Sequence, residues 1–141
     1  MWFFKKKRNR KRKNSTRKPW KITRRCLNLI LENSKDSYPN EFGAMLRVDE
    51  KNKNIITELV MLPGTLSGSS HAIFKMHMKP IDFSLVGTVH SHPSSSNHPS
   101  RADVEFFRKH GKIHIIAAYP FNKQSWQSYD YNGTPVEIEV I

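Results

Sequence analysis

Residues Thr88 to Asp103, T-V-H-S-H-P-S-S-S-N-H-P-S-R-A-D, constrain the fold of this chain more than any other stretch. The apolar run Leu85-Val86-Gly87-Thr88-Val89 reads as a strand continuing into His90-Ser91-His92. Strand residues two apart face the same way, so the two imidazoles converge. Pro93 cannot continue a ladder and ends the strand. After the loop from Ser94 to Pro99, Ser100 has the character of an N-cap for a helix carrying Val104, Phe106 and Phe107, which puts Asp103 in the first helical turn. A strand end facing a helix start can deliver two nitrogens and one oxygen to one side of a tetrahedron, leaving the fourth position open as in catalytic zinc sites. The same residues have plainer uses. Ser100-x-x-Asp103 ahead of an apolar run is also a capping box with a carboxylate near the positive helix end, and an isolated H-x-H is often a solvated or hydrogen-bonded pair.

The conjunction H-x-H-P, six residues, S-x-x-D resembles the signature of the JAMM (MPN+) zinc metalloproteases, and the resemblance covers roughly residues 20 to 141. That family also has a glutamate at the start of its first strand, and Glu41 in Pro39-Asn40-Glu41-Phe42-Gly43-Ala44-Met45-Leu46 stands in that place. No motif position is substituted. The resemblance implies that His90, His92 and Asp103 bind one zinc ion, that Glu41 is the general acid/base, and that Ser100 helps hold an oxyanion. It also implies a deaminase-like JAB1/MPN fold. On the residues alone, Glu41 can equally be a solvated strand-start glutamate, and Ser100 can cap its helix without facing a metal.

A chain of 141 residues has room for one domain with a real core. Its formal charge of +12 is concentrated at one end: residues 1–18 hold 10 of the 24 Lys+Arg and none of the 12 Asp+Glu, leaving 14 basic against 12 acidic side chains in residues 19–141. The expected division is therefore a basic, disordered tail over 1–18 and one domain over 19–141. The tail suits nucleic acid, an anionic membrane surface aided by Trp2, Phe3 and Phe4, an acidic protein, or plain solvation. A single cysteine, Cys26, excludes an internal disulfide and a Cys-rich zinc site. No run approaches the ~20 apolar residues of a membrane span. Met1-Trp2-Phe3-Phe4 is too short for the apolar part of a signal peptide and precedes the charges. A cytoplasmic enzyme is the simplest reading.

In chain order, a helix is predicted from Pro19 or Trp20 to about Ser34, with Ile22, Cys26, Leu27, Leu29 and Ile30 as its apolar stripe. Cys26 on that stripe is a buried small hydrophobe and not a nucleophile. Glu41 to Val48 and Ile55 to Leu62 form a hairpin. Residues 63–70 are loop, and a strand near His71 to Met78 puts His71 and His77 on the surface. The strand from Leu85 to His92 and the helix from Ser100 to about His110 follow, the latter closed by Gly111. Ile113 to Tyr119 is too continuously apolar for an edge and should be a buried central strand. Trp126 to Tyr131 and Val136 to Ile141 make a last hairpin about Asn132-Gly133. The fold class is α/β, a mixed sheet packed by helices. Trp126, Tyr129 and Tyr131 are sheet packing, and His98, His110 and His114 are out of ligand register.

The resemblance bears on substrate too. Its members hydrolyse isopeptide or peptide bonds at the C-terminal tail of ubiquitin or ubiquitin-like proteins, and some prokaryotic ones process sulfur carriers of the same fold. The short loops about the motif leave no room for large insertions, which points to a minimal prokaryotic or archaeal type. A tail of this kind would enter extended, beside the sheet near Thr65 to Ser70 and the His92 loop. The alternative is a nucleic-acid-associated module of the same fold, recruited by the basic tail. Oligomeric state is not legible.

Overall fold

The structure, a computed structural model, describes residues 18–61 and 82–141. The tail up to residue 17, the loop at 63–70, the strand at 71–78 with His71 and His77, and the tail-docking stretch at 65–70 lie outside the described residues.

The first helix starts later than Pro19 predicts. Lys21–Ile22 form strand β1, and helix α1 runs over Arg24–Ser37. Thr23 is the reason: its backbone is extended and its Oγ1 accepts from the Cys26 amide, satisfying a donor that the first helical turn leaves without an internal partner. Ahead of it, Ile22 finds a parallel neighbour in Ile56 of β3 (Ile55–Val60). The apolar stripe moves with the cap, so that Cys26, Leu27, Ile30 and Leu31 are buried and Leu29 is exposed. Burial, with the charge of Glu58, pushes the Cys26 thiol up to about 12, which leaves it no thiolate character at neutral pH.

β2 (Gly43–Val48) begins two residues after Glu41 and pairs antiparallel with β3. β4 (Leu85–His92) lies between β2 and β5 (Ile113–Ala118), antiparallel to the first and parallel to the second. The crossover from β4 to β5 is helix α2 (Arg101–Lys109). Gly87 in β4 is set by close approach: a Cβ there would lie 1.5 Å from the Ile113 carbonyl oxygen. All six residues of β5 are buried, as its unbroken apolar run predicts.

The last hairpin differs from expectation. β6 (Trp126–Asp130) turns at Gly133, whose φ of +78 suits glycine, into a two-residue β7 (Pro135–Val136). The chain then leaves this partner, and β8 (Glu139–Val140) pairs parallel with β1, Lys21 opposite Glu139. Among the described residues the order is β7-β6-β5-β4-β2-β3-β1-β8. β7 and β8 sit at opposite ends of that order, yet Val136 and Glu139 are three residues apart and so at most about 11 Å from each other. The sheet must therefore curl until its margins nearly meet. A groove of about 580 Å³ remains between them, lined in part by Trp20, Trp126, Val136 and Ile138.

The sheet separates two apolar layers. On one face Ala44, Leu46, Val89, Ile115 and Ala117 pack with α1; on the other Ile116 and Tyr129 pack with Phe107 of α2. No helix among the described residues is long and apolar enough to cross a membrane.

Candidate metal centre

Alternation along β4 puts Val89 in the α1 layer and therefore turns Thr88, His90 and His92 toward α2. His90 is 1% exposed and His92 is partly buried at the strand end. The helix start that faces them is fixed by a complete capping box: Ser100 Oγ accepts from the Asp103 amide at 3.0 Å and Asp103 Oδ2 accepts from the Ser100 amide at 2.9 Å. Capping and ligation are thus compatible uses of one carboxylate. The cap orients the Asp103 side chain while both its oxygens still reach the imidazoles.

Three distances define the centre. His90 Nε2 and His92 Nε2 are 3.2 Å apart, His90 Nε2 and Asp103 Oδ1 3.4 Å, and His92 Nε2 and Asp103 Oδ2 3.3 Å. Strong charge-assisted hydrogen bonds run shorter, about 2.7–2.9 Å, whereas the edge of a tetrahedron with metal–ligand bonds of ~2.1 Å is about 3.4 Å. Two imidazole nitrogens at such a distance cannot both present lone pairs to each other without a proton or a cation between them. Two nitrogens at this spacing, with a carboxylate that reaches one through each of its oxygens, suit a cation held among them. His90, His92 and Asp103 form a group that can hold a metal ion, each giving one ligand atom within 4.8 Å of the others.

Electrostatics support the same assignment. Burial disfavours the Asp103 carboxylate, but hydrogen bonds from His90 and His92, the charge of His90, and the Ser100 amide outweigh it and hold the carboxyl well below its usual range. Burial likewise disfavours charge on His92. The Asp103 contact, the Ser96 carbonyl and the charges of Asp103 and Glu41 reverse the balance and raise its pKa. His92 Nδ1 lies 2.9 Å from the Ser96 carbonyl oxygen, which can only accept. Nδ1 is thus the protonated nitrogen, and the Nε2 lone pair of neutral His92 faces His90 and Asp103.

Glu41 is brought alongside by a residue that sequence reasoning passed over. Ser91, between the two histidines, accepts at Oγ from the Phe42 amide at 2.8 Å and donates its own amide to the Phe42 carbonyl at 2.9 Å. Gly43 lies opposite His90, and continuing that register places Glu41 across from His92. Phe42 is in the α1 core, so its extended neighbour Glu41 turns to the ligand side. Alternation on its own shows that Ser91 faces away from the ligands. Only the pairing of β2 with β4 shows what it holds.

His98, His110 and His114 are not in the ligand group among the described residues. His114 stacks on Phe107 with ring centroids 4.3 Å apart, its Nδ1 is 2.7 Å from Thr88 Oγ1, and its Nε2–H donates to the Gly111 carbonyl at 3.0 Å. Burial lowers its pKa to about 4. The folded state therefore binds fewer protons at His114 than the unfolded state between about 6.5 and 4, so stability is lost as pH falls through that window, by roughly 3 kcal/mol in full. Denaturant titrations of metal-free protein at pH 7.5 and 4.5 should show this loss, and His114→Gln should flatten it. An equal pH dependence in the variant would remove His114 as its source.

Fold and site together define a class: a curled mixed sheet, a helix on each face, and a His-x-His strand end met by an aspartate in the first turn of the next helix. The sequence pattern of the prokaryotic homologs of the JAB domain matches residues 23–130, and the chain belongs to the JAMM/MPN family as a prokaryotic-type member. A protein of Haloferax volcanii named a probable metalloprotease is 32% identical over 82% of this chain and 76% of its own length. One solved structure, a JAMM domain described as a metalloprotease-like zinc site in the proteasome and signalosome, superposes with a TM-score of 0.69 at 36% identity, over 88% of this chain and 99% of that one. A JAB1/MPN domain protein from Archaeoglobus fulgidus gives 0.67 at 36% identity, over 89% and 99%.

Proposed function

We propose that this chain is a zinc-dependent peptidase or isopeptidase that hydrolyses bonds at the C-terminal tail of a ubiquitin-like modifier or sulfur-carrier protein. The observation that carries the reading is the convergence of His90, His92 and Asp103, each offering one ligand atom within 4.8 Å of the others, with Glu41 two residues ahead of the Gly43–His90 pair. The zinc site described for the solved JAMM structure and the name of the Haloferax relative support the metal and the reaction class. A bound zinc supplies Lewis acidity and a water nucleophile at neutral pH. Asp103, ionised across the working range, keeps the centre's ligand charge constant. Glu41 takes the proton as water attacks and passes it to the departing amine. Ser100 accepts from the Asp103 amide and keeps its own hydroxyl proton to donate toward the oxyanion. Eight residues, 93–100, join β4 to α2. A connection so short fits a small modifier whose Gly-Gly end lets the backbone approach closely.

Incubating the zinc-loaded protein, with and without residues 1–18, with linear fusions and isopeptide conjugates of ubiquitin-like proteins tests the proposal. Chelator-sensitive cleavage that stays within a few-fold on truncation is the expected result. Tight, salt-sensitive binding of single-stranded nucleic acid with no cleavage of any conjugate would overturn it in favour of a recruited binding module.

A further inference from the structure

We infer that Tyr129 is a positioning residue of the metal centre, its buried hydroxyl anchoring the 93–99 loop and, through that loop, the ring of His92. The inference rests on the zinc reading above. Two consecutive carbonyls of the loop are held by ring donors. His92 Nδ1–H donates to Ser96 O at 2.9 Å, and Tyr129 Oη donates to Asn97 O at 2.6 Å. The first bond sets which His92 nitrogen carries the proton and where Nε2 points. It can do so only while the Ser96 carbonyl stays in place.

The Tyr119 amide donates to the Ser94 carbonyl at 3.0 Å and so fixes the start of the loop. Beyond Ser94, Ser95 and Ser96 are exposed, and the internal bonds, Ser96 amide to Ser94 Oγ at 3.4 Å and His98 amide to Ser96 Oγ at 3.3 Å, are long and solvated. Tyr129 is different. It stands on β6, is 1% exposed, and stacks on Phe107 at 6.1 Å and 23°. Phe107 in turn lies 6.2 Å from the His90 ring and 4.3 Å from His114. The hydroxyl is thus mounted on the same ring stack that backs one ligand, while it holds the loop that orients the other. Burial raises the Tyr129 pKa, so the group remains a donor.

Tyr129→Phe keeps the ring and removes only the hydroxyl. Loss of an outer partner of a metal-ligating histidine commonly costs 10–100-fold in metal affinity. Competition with a chromophoric chelator should accordingly show the zinc Kd of Tyr129→Phe raised about tenfold or more. NMR of the metal-free protein should show the His92 Nδ1 proton exchanging faster with water. Val136→Ala, on the neighbouring β7, serves as a control that loosens the same sheet margin and should leave the zinc Kd within about twofold, well below the tenfold expected at Tyr129. A wild-type Kd in Tyr129→Phe, or an equal loss in the control, would overturn the assignment. If Tyr129→Phe does not fold, the wild-type protein still decides: the Tyr129 hydroxyl and His92 Nδ1 protons should exchange together, and independent exchange would count against the coupling. Wild-type protein that takes up no zinc would end the metal reading instead, leaving the exchange data to judge the anchor.

Discussion

Changing His90 or His92 to alanine is expected to lower bound zinc from about one ion per chain to near zero, and chelator-sensitive hydrolysis to background. The two Nε2 atoms are 3.2 Å apart, His90 Nε2 is 3.4 Å from Asp103 Oδ1 and His92 Nε2 3.3 Å from Asp103 Oδ2, so each histidine supplies one nitrogen of the group. Two remaining protein ligands cannot reproduce a site that needs three. Removal also leaves Asp103, 3% exposed, with one imidazole fewer to offset its burial, so the apo variants should be no more stable than apo wild type. Asp103 needs separate handling. Asp103→Ala deletes half of the capping box along with the ligand, at about 1 kcal/mol for the cap alone. Asp103→Asn retains an oxygen for the Ser100 amide while removing the charge, and it should lose zinc with a smaller loss of stability. Elemental analysis alongside thermal unfolding with and without chelator separates these effects, since zinc that binds only the folded state raises Tm in wild type and not in the variants. Full zinc occupancy in His92→Ala would remove the centre from the account altogether.

Glu41→Gln should leave zinc in place and lower hydrolysis by ~10²–10⁴-fold, the usual range for a positioned acid/base group. The reason lies in the register. Glu41 lies two residues ahead of β2, where the β2–β4 register extended by two sets it across from His92, close enough for its charge to raise the His92 pKa, yet it is not in the group of three that converges. It can exchange protons with water at the centre without competing for the metal. Gln preserves shape and hydrogen bonding, so any loss isolates the proton. Metal content and turnover measured on one preparation settle the assignment: zinc lost together with activity would make Glu41 a ligand, and undiminished turnover would make it a bystander.

The motif was legible because its parts are local. An H-x-H at a strand end, Pro93 as terminator and Ser100-x-x-Asp103 as a helix start require only strand alternation and cap chemistry, and β4 and α2 follow with them. Two readings that compete in sequence, cap and ligand, are geometrically compatible at Asp103, which makes the cap while both oxygens still face the imidazoles. Less legible was whatever depends on register between distant strands. Thr23 was a readable cap, but Pro19 offered an earlier helix start, and only the ladder of β1 with β3 and β8 makes Lys21–Ile22 extended. The split of the last hairpin has the same origin, since Val136 and Glu139 answer to opposite sheet margins. Ser91 and the Tyr129 hydroxyl escape single-sequence reasoning because their partners are backbone groups of remote segments. Glu41 carries no local signal of the role proposed for it. Resemblance picked it out, and the reciprocal Phe42–Ser91 bonds give that choice a physical basis.

The closure of the sheet by β8 has a consequence for how the chain must fold. β1 lies near the start of the domain and β8 at its far end, and the Ile141 carbonyl accepts from the Arg24 amide at the opening turn of α1, at 2.7 Å. Those contacts have close to the largest sequence separation available to the domain, and closing so long a loop costs entropy before it gains any pairing. The hairpin of β2 with β3 and the β4–α2–β5 crossover, by contrast, join neighbours along the chain. The strands and helix that carry His90, His92 and Asp103 can therefore pair through short loop closures, whereas β1 gains its second partner only by a closure that spans nearly the whole domain. The three residues that can hold a metal thus rest on contacts local in the chain, and the seam of the sheet on the most distant ones.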